Sequence, residues 1–324
     1  MTRYIRPLVA QCKPLFIVIA LCTGMVCTGA FAATSKNDIK TEQFEGRRYE
    51  STNGVTLKTG VIVIGGSEGG LIVADNVGPQ LAQLGYRVLG VKYHDGFAAG
   101  GKKLANVPLE SFVAATEWMS AQPAIAGVVL IGESRGSEAA LLTAIRSRKV
   151  SGVVGFVPSA YVWSALGNDD PQGPSAWTDA AKPLAYVKPL KENIPGADYL
   201  TKAVAADGNI EAATIPIEKI QAPLFLLGAE GDAIWPSADM VKTMRIRLEK
   251  NKFQFLSVAK TYKDCGHRLF GTGPSSPAQT HKWGNQSFTS VYGGTEAGNL
   301  AARTDAWREL NGFLAKIEAG ITRK

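Results

Sequence analysis

Three side chains suited to acyl transfer lie far apart in this chain of 324 residues. They are Ser134 in "GESRG", Asp232 in "LFLLGAEGDAIWPS" and His267 in "YKDCGHRLF". Acyl transfer of this kind needs a hydroxyl nucleophile, an imidazole that takes its proton, and a carboxylate that holds the imidazole in the productive tautomer. A bare Gly-x-Ser-x-Gly match is weak in a chain with 35 glycines. Its surroundings strengthen it, because Ser134 stands between an apolar run, "AGVVLI", and an Ala- and Leu-rich run, "SEAALLTAI". That is the setting of a strand-to-helix turn in which small flanking residues, Gly132 and Gly136, let a strained serine pack and expose its hydroxyl. The amides of the following helix favour negative charge developing at the same point.

The chain has three histidines. His94 follows a strand in "KYHDG" and His281 lies in a polar stretch, and both read as structural. His267 sits beside Gly266 just after the last expected strand, where a short loop can carry an imidazole to the serine. For the acid, Asp232 in a Gly-flanked turn past a strand end is preferred, with Glu230 as the rival. The resulting order Ser, Asp, His is that of the α/β-hydrolases. Two backbone N–H groups are expected to form an oxyanion hole: that of Arg135, next to the serine, and that of Ser67 in "GGSEGG" (65–70). A dinucleotide-binding reading of "GGSEGG" fails, since the Gly-x-Gly-x-x-Gly spacing is absent.

The elements needed to position these residues are legible from about residue 57, where short apolar runs alternate with amphipathic stretches. Strands are expected at 59–66, 86–93, 126–132, 150–158, 223–229 and 253–262. Helices are expected over "LIVADNVGPQLAQLG", over 108–122 with Pro108 at its start, over "ESRGSEAALLTAIRSR", over "SADMVKTMRIRLEKN" and over the closing "TEAGNLAARTDAWRELNGFLAKI". The fold class is α/β: a mainly parallel sheet flanked by helices. Residues 164–215, rich in Pro, Gly, Asp and Asn, break the alternation and read as a small cap-like insertion. Trp177 within it, and Trp235 beside the acid, either line an apolar pocket or pack the core. A polar loop is expected over 271–295.

The first 32 residues combine Arg3, Arg6 and Lys13, an apolar stretch and a small-residue Ala30-Phe31-Ala32 site, which read as a secretory signal peptide. The alternative is a retained N-terminal membrane anchor, since about 20 apolar residues can span a bilayer. The formal net charge is +7, and without the three leader cations 32 basic residues face 28 acidic ones. That balance gives no reason to expect a nucleic-acid partner. Cys12, Cys22 and Cys27 lie in the leader, so residues 33–324, read as a single domain, keep only Cys265 and can form no internal disulfide. No cofactor or metal is expected.

With these residues in place, the chain resembles the C-terminal catalytic domain of the acyl-CoA thioester hydrolases and bile acid-CoA:amino acid N-acyltransferases. These form a dienelactone-hydrolase-like branch of the α/β-hydrolases. The matching segments are "GGSEGG", "VPLESFVAATEWM", "IGESRGSEAALL", "IEKIQAPLFLLGAEGDAIWPS", "CGH" and "AWRELNGFL", spread over about 58–318. The resemblance implies Ser134 as nucleophile, Asp232 as acid and His267 as base. The acyltransferase branch carries cysteine at the nucleophile, so serine points to hydrolysis. Two departures stand out: residues 33–57 are too few for the immunoglobulin-like N-terminal domain of the long members, and an exported protein would not meet acyl-CoA. The expected activity is an exported, periplasmic or secreted serine hydrolase acting on a small-molecule ester or thioester. An amide or peptide hydrolase, or a ligand-binding homologue without turnover, are the alternatives.

Overall fold

A computed structural model of the chain describes residues 33–96, 101–166, 173–188, 190, 196–283 and 286–323. The expected leader, 1–32, lies outside the described residues, as do parts of the expected insertion (167–172, 189 and 191–195). The central sheet has eight strands: β1 (Thr34–Lys40), β2 (Glu45–Ser51), β3 (Thr59–Ile64), β4 (Arg87–Lys92), β5 (Gly127–Glu133), β6 (Val150–Phe156), β7 (Leu224–Ala229) and β8 (Ser257–Tyr262). Their spatial order is β1-β2-β4-β3-β5-β6-β7-β8. β1 and β2 pair antiparallel, β2 runs antiparallel to β4, and the other six are mutually parallel.

β3 and β7 are buried at every position, because helices cover both faces of the parallel part. Successive side chains go to opposite faces. Val61, Val63, Phe225 and Leu227 pack with α1 (Ile72–Gln83) and α6 (Glu296–Glu318), whereas Ile62, Ile64, Leu224 and Leu226 pack with α2 (Glu110–Ser120), α3 (Arg135–Arg146) and α5 (Ser237–Lys250). Between β6 and β7 lie α4 (Gly196–Ala206) and the strand Trp177–Asp179, which pairs parallel with Val107–Pro108 and antiparallel with Lys182–Pro183.

Two expectations are corrected, and residues 34–51, which the sequence reading left without an element, form the edge strand β1 and its neighbour β2, in a segment too polar to show a buried face. Pro108 belongs to a short strand, and α2 begins at Glu110. The expected polar loop at 271–295 contains a hairpin, Ala278–Trp283 with Gln286–Val291. Its composition, with β-branched and aromatic residues on both sides of Gly284-Asn285, carries a hairpin signal.

Candidate active site

β5 delivers its last residue, Glu133, into the sheet edge, and α3 begins at Arg135, so the chain turns at one residue. Ser134 takes φ 54° and ψ −123° there, a conformation that costs a non-glycine residue about 1–3 kcal/mol and persists only where its surroundings enforce it. Those surroundings are specific. The Ser134 N–H donates to the Phe156 carbonyl at 3.0 Å, and its own carbonyl accepts from the Ser137 N–H at 2.9 Å and hydroxyl at 2.6 Å. A Cβ on Gly132 would lie 2.3 Å from the Gly136 carbonyl oxygen, and one on Gly136 would lie 2.2 Å from that of Ile64. Glycine at both sites is what lets α3 dock against the ends of β3 and β5.

Asp232 lies three residues past β7. Its Oδ1 accepts the N–H groups of Ile234 (3.0 Å) and Trp235 (3.2 Å), and its Oδ2 accepts the Ser237 hydroxyl (2.7 Å). This leaves both oxygens facing His267 Nδ1, at 3.0 and 2.9 Å. The opposite ring nitrogen, Nε2, is 2.9 Å from Ser134 Oγ. With Nδ1–H donating to the carboxylate, Nε2 is free to accept the serine proton. Ser134, Asp232 and His267, distant in sequence, are thus one hydrogen-bonded chain, with 6–8% of each exposed. Glu230, the rival acid, points away and accepts the Thr261 hydroxyl at 2.7 Å.

Asp232 and His267 are fixed to one another through backbone. The Tyr292 carbonyl accepts the N–H of both His267 (2.8 Å) and Ala233 (3.2 Å), so the strand returning from the hairpin bridges the two loops. From α6, Asn299 Oδ1 accepts the Gly266 N–H at 2.8 Å. Arg303, one helical turn on, donates to the carbonyls of Arg268, Phe270, Thr272 and Gly273 at 2.7–2.9 Å, gripping the segment after the histidine.

Two carboxyl groups that sequence reasoning did not single out lie close to this chain. Burial raises Glu133, to about 7, and the neighbouring Glu68 charge adds to the rise against the opposing pull of His267, Arg303 and Arg268. Glu68 is likewise raised, chiefly by burial. For His267, burial is the largest single influence and disfavours the cation. The Asp232 charge and hydrogen bond, with Glu133 and Glu68, outweigh it and hold the imidazole above its ordinary range. Their signal was positional: one acid directly precedes the serine, and the other sits inside "GGSEGG".

The 65–70 loop lies against the serine: a Cβ on Gly66 would come 3.1 Å from Ser134 Cβ. Among the described residues the Ser67 N–H donates to no protein acceptor, and the Arg135 N–H is a first-turn amide with no partner in its helix. His94 is buried beneath this loop, and His281 stacks on Phe288 in the hairpin. Trp177 and Trp235 are buried, packing the core rather than lining an open pocket. The Trp177 Nε1–H donates to Glu138 at 2.9 Å and that of Trp235 to the Val157 carbonyl at 3.1 Å. Burial pushes the Cys265 thiol up to about 12, which makes it a poor nucleophile. Beside the acid turn is a cleft of about 560 Å³ lined by Ala197, Asp198, Ala233, Ile234, Thr289 and Val291.

No curated protein matches the chain significantly. Among solved structures, it is similar to a dienelactone hydrolase-like promiscuous phosphotriesterase from metagenomic libraries, with a TM-score of 0.52 and 15% identity over 88% of this chain and 98% of that one. It is also similar to an esterase from Pyrobaculum calidifontis, with a TM-score of 0.50 and 16% identity over 89% of this chain and 85% of the other. At these identities the likeness shows the α/β-hydrolase fold. The family model described as BAAT / acyl-CoA thioester hydrolase C terminal matches residues 107–319, well over half of the chain. The chain therefore belongs to the BAAT / acyl-CoA thioester hydrolase C-terminal family, as a hydrolase of esterase or thioesterase type.

Proposed function

We propose that the chain is an exported serine hydrolase that cleaves a carboxylic ester or thioester of a small molecule through an acyl-enzyme. The observation that carries this reading is the unbroken path from Asp232 to His267 Nδ1 and from His267 Nε2 to Ser134 Oγ, at 2.9 Å for each link. In the first half-reaction Ser134 Oγ bonds to the carbonyl carbon while Nε2 takes its proton. The C–O or C–S bond then breaks as the imidazolium returns that proton to the leaving alcohol or thiol. In the second, Nε2 takes a proton from water, the hydroxide adds to the acyl carbon, and the Ser134 oxygen leaves with the proton. Asp232 stabilises the imidazolium throughout. The N–H groups of Ser67 and Arg135 receive the oxyanion, each donor contributing about 3–4 kcal/mol to the transition state.

Serine rather than cysteine at the nucleophile supports hydrolysis over transfer to an amine. The basic, apolar, small-residue order of residues 1–32 supports export, and N-terminal sequencing of periplasmic or secreted protein tests it, with Ala33 as the expected first residue. Among the described residues no helix is long and apolar enough to cross a membrane. The activity is tested by intact mass after a fluorophosphonate probe, beside Ser134→Ala. One adduct, lost in the variant, is expected, together with turnover of an ester and thioester panel by the native chain alone. Folded native protein that takes no probe and turns over nothing would overturn the reading.

A further inference from the structure

The loop that carries Ser67 is held from below by the two residues that follow β4. The Tyr93 hydroxyl donates to the Gly65 carbonyl at 2.8 Å and to the Gly66 carbonyl at 3.2 Å. His94 Nε2 lies 3.1 Å from the same Gly66 oxygen. The tautomer follows from the other side of the ring: the Gly96 N–H donates to Nδ1 at 2.9 Å, so Nδ1 is the acceptor and the proton resides on Nε2. The backbone joins in, since the Gly70 N–H donates to the His94 carbonyl at 2.8 Å. The two segments are in direct backbone contact: a Cβ on Gly69 would lie 2.0 Å from the Gly96 nitrogen, and one on Gly96 would lie 2.2 Å from the Glu68 carbonyl oxygen.

The Gly66 carbonyl and the Ser67 N–H belong to one planar trans peptide, so they point in opposite directions. Whatever holds the carbonyl therefore aims the N–H. We infer that His94, with Tyr93, is a positioning residue for the oxyanion hole, turning the Gly66–Ser67 peptide so that its N–H faces the carbonyl oxygen of a substrate bound at Ser134. This rests on the serine-hydrolase reading above. His94 is 1% exposed, and among the described residues its two ring nitrogens meet the Gly66 carbonyl and the Gly96 N–H alone. Burial also holds it below its ordinary titration range, which preserves the neutral tautomer with one donor and one acceptor.

The test compares native protein, His94→Phe and His94→Gln on an activated ester, with a trifluoromethyl ketone as a probe of tetrahedral-adduct affinity. Phenylalanine keeps the ring and removes both bonds, whereas the glutamine amide can still donate to the Gly66 carbonyl. His94→Phe is expected to lower kcat about 10²–10³-fold, the usual cost of one oxyanion donor. KM should stay within about threefold and the ketone Ki should weaken in step with kcat, because the lost interaction exists only with the tetrahedral species. His94→Gln should recover most of kcat. A folded His94→Phe protein with unchanged kcat overturns the inference, as does a loss of activity with unchanged ketone affinity. Should His94→Phe not fold, Tyr93→Phe decides: a roughly tenfold loss shared by kcat and ketone affinity supports the inference, and no loss overturns it. Native protein that neither takes the fluorophosphonate nor turns over ester defeats the hydrolase reading itself, a result distinct from an active native enzyme indifferent to His94.

Discussion

Gly293 packs so closely on Gly231 that a Cβ added to it would lie 1.9 Å from the Gly231 carbonyl oxygen. Gly293 is also at φ +85°, where side chains are strained. Gly231 immediately precedes Asp232, and Tyr292, immediately before Gly293, accepts the His267 N–H. This glycine contact thus sets the spacing between Asp232 and His267. Gly293→Ala is expected to cost more than about 2 kcal/mol of stability. It should lower kcat/KM about 100-fold or more, since a displacement near 1 Å is enough for that. Gly312→Ala, at an exposed helical site with nothing within 4 Å, should stabilise by roughly 0.5–1 kcal/mol with activity unchanged. Urea unfolding and ester kinetics on both variants check the pair.

Asp232→Asn separates the two acids weighed from sequence. The asparagine amide fits the same space but cannot accept the Nδ1–H at both atoms, and it favours the unproductive imidazole tautomer. A fall in kcat of about 10⁴-fold is expected with the fold intact. Glu230→Gln, at a side chain whose one hydrogen bond among the described residues is from the Thr261 hydroxyl, should leave kcat within about twofold. Equal effects in the two variants would remove Asp232 from the proposed mechanism.

Why Asp232 stood out in the sequence and the contacts around it did not is a matter of locality. β3, β5 and β7 are continuous apolar runs ending in glycine-rich turns, so the strand ends, and Ser134 and Asp232 just past them, stand out in one dimension. His267 stood out among three histidines because it follows the last expected strand, beside Gly266. What holds these residues is non-local: the Tyr292 carbonyl, Asn299 and Arg303 reach the site from the hairpin and α6, and no spacing rule links residue 299 to residue 266. β1 stayed hidden because an edge strand such as "TSKNDIK" is mostly exposed and carries no core-facing stripe. Trp177 shows the same limit, since an isolated tryptophan in a Pro- and Gly-rich stretch reads as pocket lining or packing alike until Glu138 supplies its partner.

That partner makes Trp177→Phe informative. Glu138 is buried in the first turn of α3, 3.1 Å from Arg135 Nε, and accepts the Trp163 N–H (3.2 Å) as well as the Trp177 indole N–H. Phenylalanine keeps most of the packing with Tyr93 and Phe112 and deletes one bond to a buried carboxylate. A loss of about 1–3 kcal/mol in urea unfolding is expected. In Trp177→Phe/Glu138→Gln the two losses should fall short of additive. An unchanged midpoint in Trp177→Phe would mean the 173–183 segment is not anchored through Glu138.

Glu133→Gln tests the electrostatics of the site with two opposite readouts. Burial, with the Glu68 charge, pushes the Glu133 carboxyl up to about 7 in the fold, well above its ordinary range, so folding favours the protonated acid. The associated stability is fully present below the unfolded value and is lost as pH rises through about 7. The native Tm should therefore fall between pH 5 and 8, and glutamine, which cannot ionise, should flatten that decline and raise the Tm at pH 8. Under the proposed mechanism the kinetic effect runs through His267, which would have to be neutral to take the serine proton and which the Glu133 charge helps to hold above its ordinary range. Removing that charge should move the acid limb of kcat/KM to lower pH, with the Ser134–His267 contact unaltered. A flatter Tm profile with an unmoved acid limb would show that Glu133 is buried apart from the imidazole. A moved limb in Glu133→Gln, and a further move in Glu68→Gln/Glu133→Gln, would show that both acids set the pH at which the base is free to act.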